Sequence, residues 1–115
     1  MGRKRRTYLE KDFQKQVIEL ARLLGWRVAW FRPVRIQRMG GGCYFETPVG
    51  ADGKGWPDLV LVRRERCLFR ELKMEDGKGT SPEQDAWLAA FLAAGLDAKV
   101  WWCPRDWPEI EESLR

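Results

Sequence analysis

The chain contains no histidine, and that absence removes most of the common hydrolytic machinery. Without an imidazole, Ser-His-Asp and Cys-His mechanisms and His-liganded metal nucleases are excluded. Cysteine is scarce as well. Cys43, Cys67 and Cys103 are odd in number, widely spaced and free of any CxxC pairing, so neither a disulfide framework nor a zinc site is indicated. A reducing setting is expected. No uninterrupted apolar run approaches the ~20 residues that span a bilayer, and the first residues form no apolar h-region. The expectation is a soluble cytoplasmic protein with no membrane partner. No small-molecule organic cofactor is expected.

What is present fits a single domain. The chain has 115 residues and 13.5 kDa, with 44% apolar residues, which supports one core and no second. Lysine and arginine number 21 against 17 acids, a net charge of +4 that favours a polyanionic partner. The excess is uneven. Arg3, Lys4, Arg5 and Arg6 precede the first predicted helix, whereas Asp106, Glu109, Glu111 and Glu112 crowd the C-terminal end. Residues 1–7 therefore read as a basic tail, either simply solvated or bound to a phosphate backbone, and residues 8–115 as the domain.

Thr7-Tyr8-Leu9-Glu10 has the form of a capping box, and Phe13, Val17, Leu20, Ala21 and Leu24 then recur at helical spacing up to Gly25. Trp26 to Arg32 reads as a strand ended by Pro33. A long basic glycine-rich segment follows, with Arg35, Arg38, the Gly40-Gly41-Gly42 triplet and a candidate short strand at Cys43 to Glu46. Loops of that length in compact domains are often functional. Asp58 to Val62 and Cys67 to Lys73 read as a hairpin, and Ser81-Pro82-Glu83-Gln84 opens a second helix whose buried face is Trp87, Leu88, Phe91 and Leu92. Asp97 to Trp102 is a last strand, with a candidate terminal helix over Trp107 to Leu114. The expected fold class is α/β (mixed α+β), a small mixed sheet flanked by helices in the order α-β-β-β-α-β.

Gly55-Trp56-Pro57-Asp58 and Glu71-Leu72-Lys73 carry the chemistry. Residues two apart in a strand share a face, so Glu71 and Lys73 project together while Leu72 turns to the core. A hairpin brings the start of one strand beside the end of the other, which places Asp58 near both. Two carboxylates hold a hard divalent cation through oxygen, and a lysine beside them meets a phosphate. The alternative is a surface Glu-Lys pair of little consequence.

These residues resemble the PD-(D/E)XK nuclease signature. With Glu10, Gly25-Trp26, the run to Val62, and Ser81-Pro82-Glu83-Gln84 followed by Trp87-Leu88, the chain from Glu10 to Trp107 is similar to the VRR-NUC (virus-type replication-repair nuclease) family. The resemblance implies a restriction-endonuclease-like core and Mg2+- or Mn2+-dependent cleavage of DNA. It implies Asp58 and Glu71 as metal ligands, joined by the main-chain carbonyl of Leu72 and by Glu10, directly or through water. Lys73 would orient or deprotonate the attacking water, and Gln84 would position the lysine, the water or the phosphate. A capping box with Ser81 accounts equally well for Gln84, and one with Thr7 for Glu10. Where many family members carry a histidine near the end of the first strand, this chain has Trp30 or Phe31.

Free-standing small members of the family, in phages and bacteria, resemble structure-selective endonucleases. The implied activity is therefore that of a Holliday junction resolvase of phage type, in a bacterial or phage-infected cell, with a role in DNA repair and recombination. The alternatives are a less selective nicking or flap nuclease and a catalytically idle DNA-binding module. DNA contacts are expected from Arg3, Lys4, Arg5, Arg6, Arg35, Arg38, Lys54 and Lys78. A homodimer is expected because a four-way junction offers two equivalent strands. The tryptophans, seven in all, either fill the core or line that interface.

Overall fold

A computed structural model describes residues 9–115; Arg3, Lys4, Arg5, Arg6 and Thr7 lie outside the described residues. Helix α1 spans Glu10–Leu23, with Glu10 at its first position. Leu9 is the extended N-cap residue, and its N–H donates to Asp12 Oδ2 at 2.9 Å. Asp12 thus serves an orphan donor of the first turn, and acids there suit the positive end of the helix dipole. Phe13, Val17 and Ala21 fall on one stripe and are buried.

Strand β1 (Arg27–Trp30) follows, then β2 (Val34–Gln37), β3 (Cys43–Glu46), β4 (Leu59–Arg63), β5 (Arg66–Met74), helix α2 (Pro82–Ala93), β6 (Asp97–Cys103) and α3 (Trp107–Leu114). The observed order is α-β-β-β-β-β-α-β-α. β3 and α3 occupy the ranges of the candidate strand and the candidate terminal helix, and β2 is the strand not expected. The first strand is also shorter than the predicted 26–32: it ends at Trp30, and Phe31 donates one further in-register N–H to the Asp58 carbonyl at 3.0 Å.

The main sheet runs β1-β4-β5-β6, antiparallel except for the β5–β6 pair, which is parallel and crosses over through α2. Parallel neighbours need such a crossover, and a helix supplies it. Leu59, Leu61, Leu68, Leu72, Trp101 and Cys103 face α1 and α3 and form the core with Trp26, Ile110 and Leu114. On the other face Trp56 makes edge contacts with Phe31, Phe69, Trp87 and Phe91, and Phe69 stacks on Phe91 at 4.3 Å. The expected burial of Leu92 on α2 is not observed: it is 59% exposed. The apolar residues of α2 encircle the helix, so its period does not single out the inner face.

Strands β2 and β3 form a separate two-stranded sheet in which Arg35 opposes Phe45 and Ile36 opposes Tyr44. It is an arm. The two strands pack on each other and make no substantial contact with another helix or strand among the described residues. No helix there is long and apolar enough to cross a membrane.

Candidate active site

The β4–β5 turn fixes everything downstream of it. Arg63 pairs with Arg66 across Arg64-Glu65, with Arg64 at φ 54°, and the register runs from there to Leu59 opposite Arg70. One more step brings Asp58 opposite Glu71. Counting back from a two-residue turn, hydrogen-bonded pairs alternate, so Asp58 and Glu71 fall at a non-hydrogen-bonded position, where opposed side chains are closest. The shared face expected for Asp58, Glu71 and Lys73 follows from this register. Leu72 is fully buried on the opposite face.

The next position pairs Pro57 with Leu72, and there the ladder changes character. Leu72 N–H donates to Asp58 Oδ2 at 2.8 Å rather than to a backbone carbonyl. Proline has no N–H to return to the Leu72 carbonyl. In an extended strand N–H and C=O of one residue point to the same side, so that carbonyl is directed at the edge where Asp58 lies. Proline before aspartate thus opens the ladder at the carboxylates.

Gly55 and Trp56 set the approach of helix α2. Gly55 has φ +88°, and a Cβ there would lie 2.5 Å from the Glu83 carbonyl carbon and 2.6 Å from the Gln84 nitrogen, so only glycine lets the loop touch the first turn of α2. Trp87 ties the same loop from the helix side, its indole N–H directed at the Asp52 and Lys54 carbonyls at 3.0 and 3.1 Å. Gln84 serves the expected capping role and makes a second contact, with Glu71, that differs from the expected one with the lysine, the water or the phosphate. Its N–H and Oε1 complete the capping box with Ser81, and its Nε2 donates to Glu71 Oε1 at 3.0 Å.

Glu71 is 2% exposed, and its Oε2 is buried and receives no hydrogen bond from an N–H or hydroxyl group. Burial, then the neighbouring Asp58 charge and the hydrogen bond shared with Asp58, push its carboxyl up to about 9. Asp58 is also raised, chiefly by burial, with the Glu71 hydrogen bond, the Leu72 N–H and Lys73 acting in the opposite direction. Glu10 is exposed as a residue, yet partial desolvation of its carboxyl and the charge on Asp58 raise it, while Lys73 lowers it. Glu10, Asp58, Glu71 and Lys73 therefore act on one another across a single locus. Carboxyl groups so gathered hold protons or a cation.

The donor set suits a divalent cation of open coordination. Among the described residues no group of three or more His, Cys, Asp or Glu is placed to hold a metal ion. Magnesium is commonly held by one or two carboxylates with water and substrate phosphate completing six positions. Asp58, the buried Glu71 Oε2 and the directed Leu72 carbonyl meet that description.

A cleft of about 310 Å³ opens on the locus, lined by Asp58, Gln84, Ser81, Lys54, Tyr44 and Phe45 among others. Lys54 stands at its wall, Nζ 3.6 Å from Glu83 Oε1, both side chains well exposed. Arg35 and Arg38 belong to the arm, and Lys78 is exposed in the loop before α2. Tyr44 and Phe45 were not among the expected site residues. An aromatic pair between glycine runs in a basic segment was the available signal. Compared with family models, with curated proteins and with solved structures, the chain matches none.

Proposed function

We propose that the protein is a divalent-metal-dependent, structure-selective DNA endonuclease of the VRR-NUC type, acting on branched DNA such as a four-way junction. One observation carries the reading: the β4–β5 register sets Asp58, Glu71 and Lys73 on one face where the ladder breaks at Pro57, with Glu71 Oε2 buried there and given no N–H or hydroxyl donor. The order α1-β1-β4-β5-α2-β6, with β5 and β6 parallel across α2, supports a restriction-endonuclease-like core. Asp58, Glu71 and the Leu72 carbonyl would hold Mg2+ or Mn2+, with Glu10 acting through water. When bound, the ion supplies positive charge to the phosphate oxygens and lowers the pKa of water.

The chain's own residues supply the rest. Lys73 places a cation against the charge that develops on phosphorus, where preorganised charge contributes most. It also orients the attacking water. Gln84 Nε2 holds Glu71 Oε1, so Oε2 is the oxygen that would be left to a cation. The test is incubation of purified protein with a synthetic four-way junction, a flap, a linear duplex and a single strand, in Mg2+, Mn2+ or chelator. Metal-dependent cutting with preference for the branched substrates is expected. No cleavage of any substrate in either metal rejects the nuclease reading.

A further inference from the structure

Outside the carboxylate centre, the β2–β3 arm is the part of the fold that its own packing explains least. A lone two-stranded hairpin is marginal in water. Here it also turns large side chains outward: Phe45 is 68% exposed, Met39 at the tip is fully exposed, and Val34 and Tyr44 are exposed as well. Arginines interleave with these. Arg32, Arg35 and Arg38 meet a single acid, Glu46, across residues 32–46. Arg35 lies directly across the ladder from Phe45, and the Arg38 guanidinium stands 5.0 Å from the centre of the Tyr44 ring. Tyr44 and Phe45 line the same cleft as Asp58 and Gln84.

Charge decides what covers this surface. A second copy of the arm laid on it would bring the arginines against one another, whereas a phosphate backbone neutralises them. The apolar ring of Phe45 has no group with which to read a groove edge, but it offers a face to a base. Bases in a duplex are already stacked, so an exposed ring gains most from an unpaired one. We propose that the arm is a binding site for unpaired nucleotides of DNA. Phe45 stacks a base, and Arg35 and Arg38 hold the flanking phosphates. The arm thereby selects strands with unpaired bases beside the phosphate presented to Asp58 and Glu71. That last position rests on the nuclease reading; binding by the arm does not.

The test is fluorescence anisotropy in chelator, with a labelled duplex carrying unpaired bases at a branch and a blunt duplex of equal length. Wild type should prefer the branched DNA. Phe45→Ala should weaken binding to it about tenfold, as loss of one stacked base does, with blunt-duplex binding nearly unchanged. Phe45→Trp should restore the preference. An Arg35→Ala/Arg38→Ala double variant should weaken both and reduce the slope of log affinity against log salt by about 2. Phe45 lies outside the core, so the fold survives its loss, which circular dichroism checks. Unchanged binding by Phe45→Ala overturns the proposal, and so does a dimer-to-monomer shift on gel filtration with both DNAs weakened equally. Cleavage assays in Mg2+ separate the two readings. An inactive wild type whose binding still depends on Phe45 rejects the nuclease and keeps the arm; an active one indifferent to Phe45 does the reverse.

Discussion

Glu71 carries one carboxylate oxygen held by Gln84 and another buried without an N–H or hydroxyl donor, beside the Asp58 carboxyl. Its pKa is raised on folding, so the protonated form is the one the metal-free fold prefers. The associated stability is fully present below the ordinary value of 4.5 and is lost as pH rises towards about 9. Metal-free protein should therefore melt at progressively lower temperature across that window, and Mg2+ should reverse the loss at its alkaline end by binding the ionised pair. Glu71→Gln keeps the shape and removes the charge. It should raise the metal-free melting temperature near pH 8 and abolish the Mg2+-induced rise. A wild-type melting temperature flat from pH 5 to 9 would refute the buried-charge argument. Asp58→Ala and Lys73→Ala bear on the reaction instead: each should reduce cleavage by at least about a hundredfold with DNA binding in chelator largely retained. Wild-type rates in either variant would remove that residue from the centre.

At the level of elements, α2 meets the site through its N-terminal turn, and two residues there separate stability from catalysis. Ser81→Ala removes the side-chain cap and should cost about 1 kcal/mol of stability with little change in cleavage. Gln84→Ala loses the reciprocal capping bond and also frees Glu71, so at similar stability cost its kcat should fall well below that of Ser81→Ala. Equal kcat in the two variants would leave Gln84 as a cap alone. Gly55→Ala places a methyl within 2.5 Å of the α2 backbone at a positive φ. It should destabilise by about 1–3 kcal/mol through strain and weaken cleavage by pushing α2 from the Asp58 loop, read by denaturant unfolding and by rate. The β4–β5 hairpin and the Asp58, Glu71 and Lys73 face were legible in the sequence because alternation and a two-residue turn determine register. Strand β2 was not: Val34-Arg35-Ile36-Gln37 alternates apolar and polar residues, but the run is only four residues long and directly follows a proline that reads as a strand end. The contact of Gly55 with α2 and the reach of Phe45 to the cleft depend on how separate elements approach, which local spacing does not encode.

For the molecule as a whole, polarity divides the surface by function. The arm and the cleft wall carry Arg35, Arg38 and Lys54, while α2 turns Ala86, Ala89, Ala90, Leu92 and Ala93 outward. A helix apolar all round normally has both sides covered, and here one side is exposed. Past its first turn, which carries Glu83 and Asp85, α2 has no charged residue, and such a face suits a two-fold contact with a second copy, in which each residue meets its own mate and like charges would repel. Such a dimer carries two carboxylate centres, as symmetric cutting of a four-way junction requires. Leu92→Lys introduces that repulsion at an exposed position, so folding should be unaffected. Light scattering should find the wild type dimeric and the variant monomeric, and on a junction in a supercoiled plasmid the variant should yield nicked circles in place of linear product. The first cut should stay near the wild-type rate, because Asp58, Glu71 and Lys73 all come from one chain. A wild type that is monomeric at micromolar concentration yet still linearises the plasmid would place the pairing of cuts in the DNA, through two successive encounters, rather than in the protein.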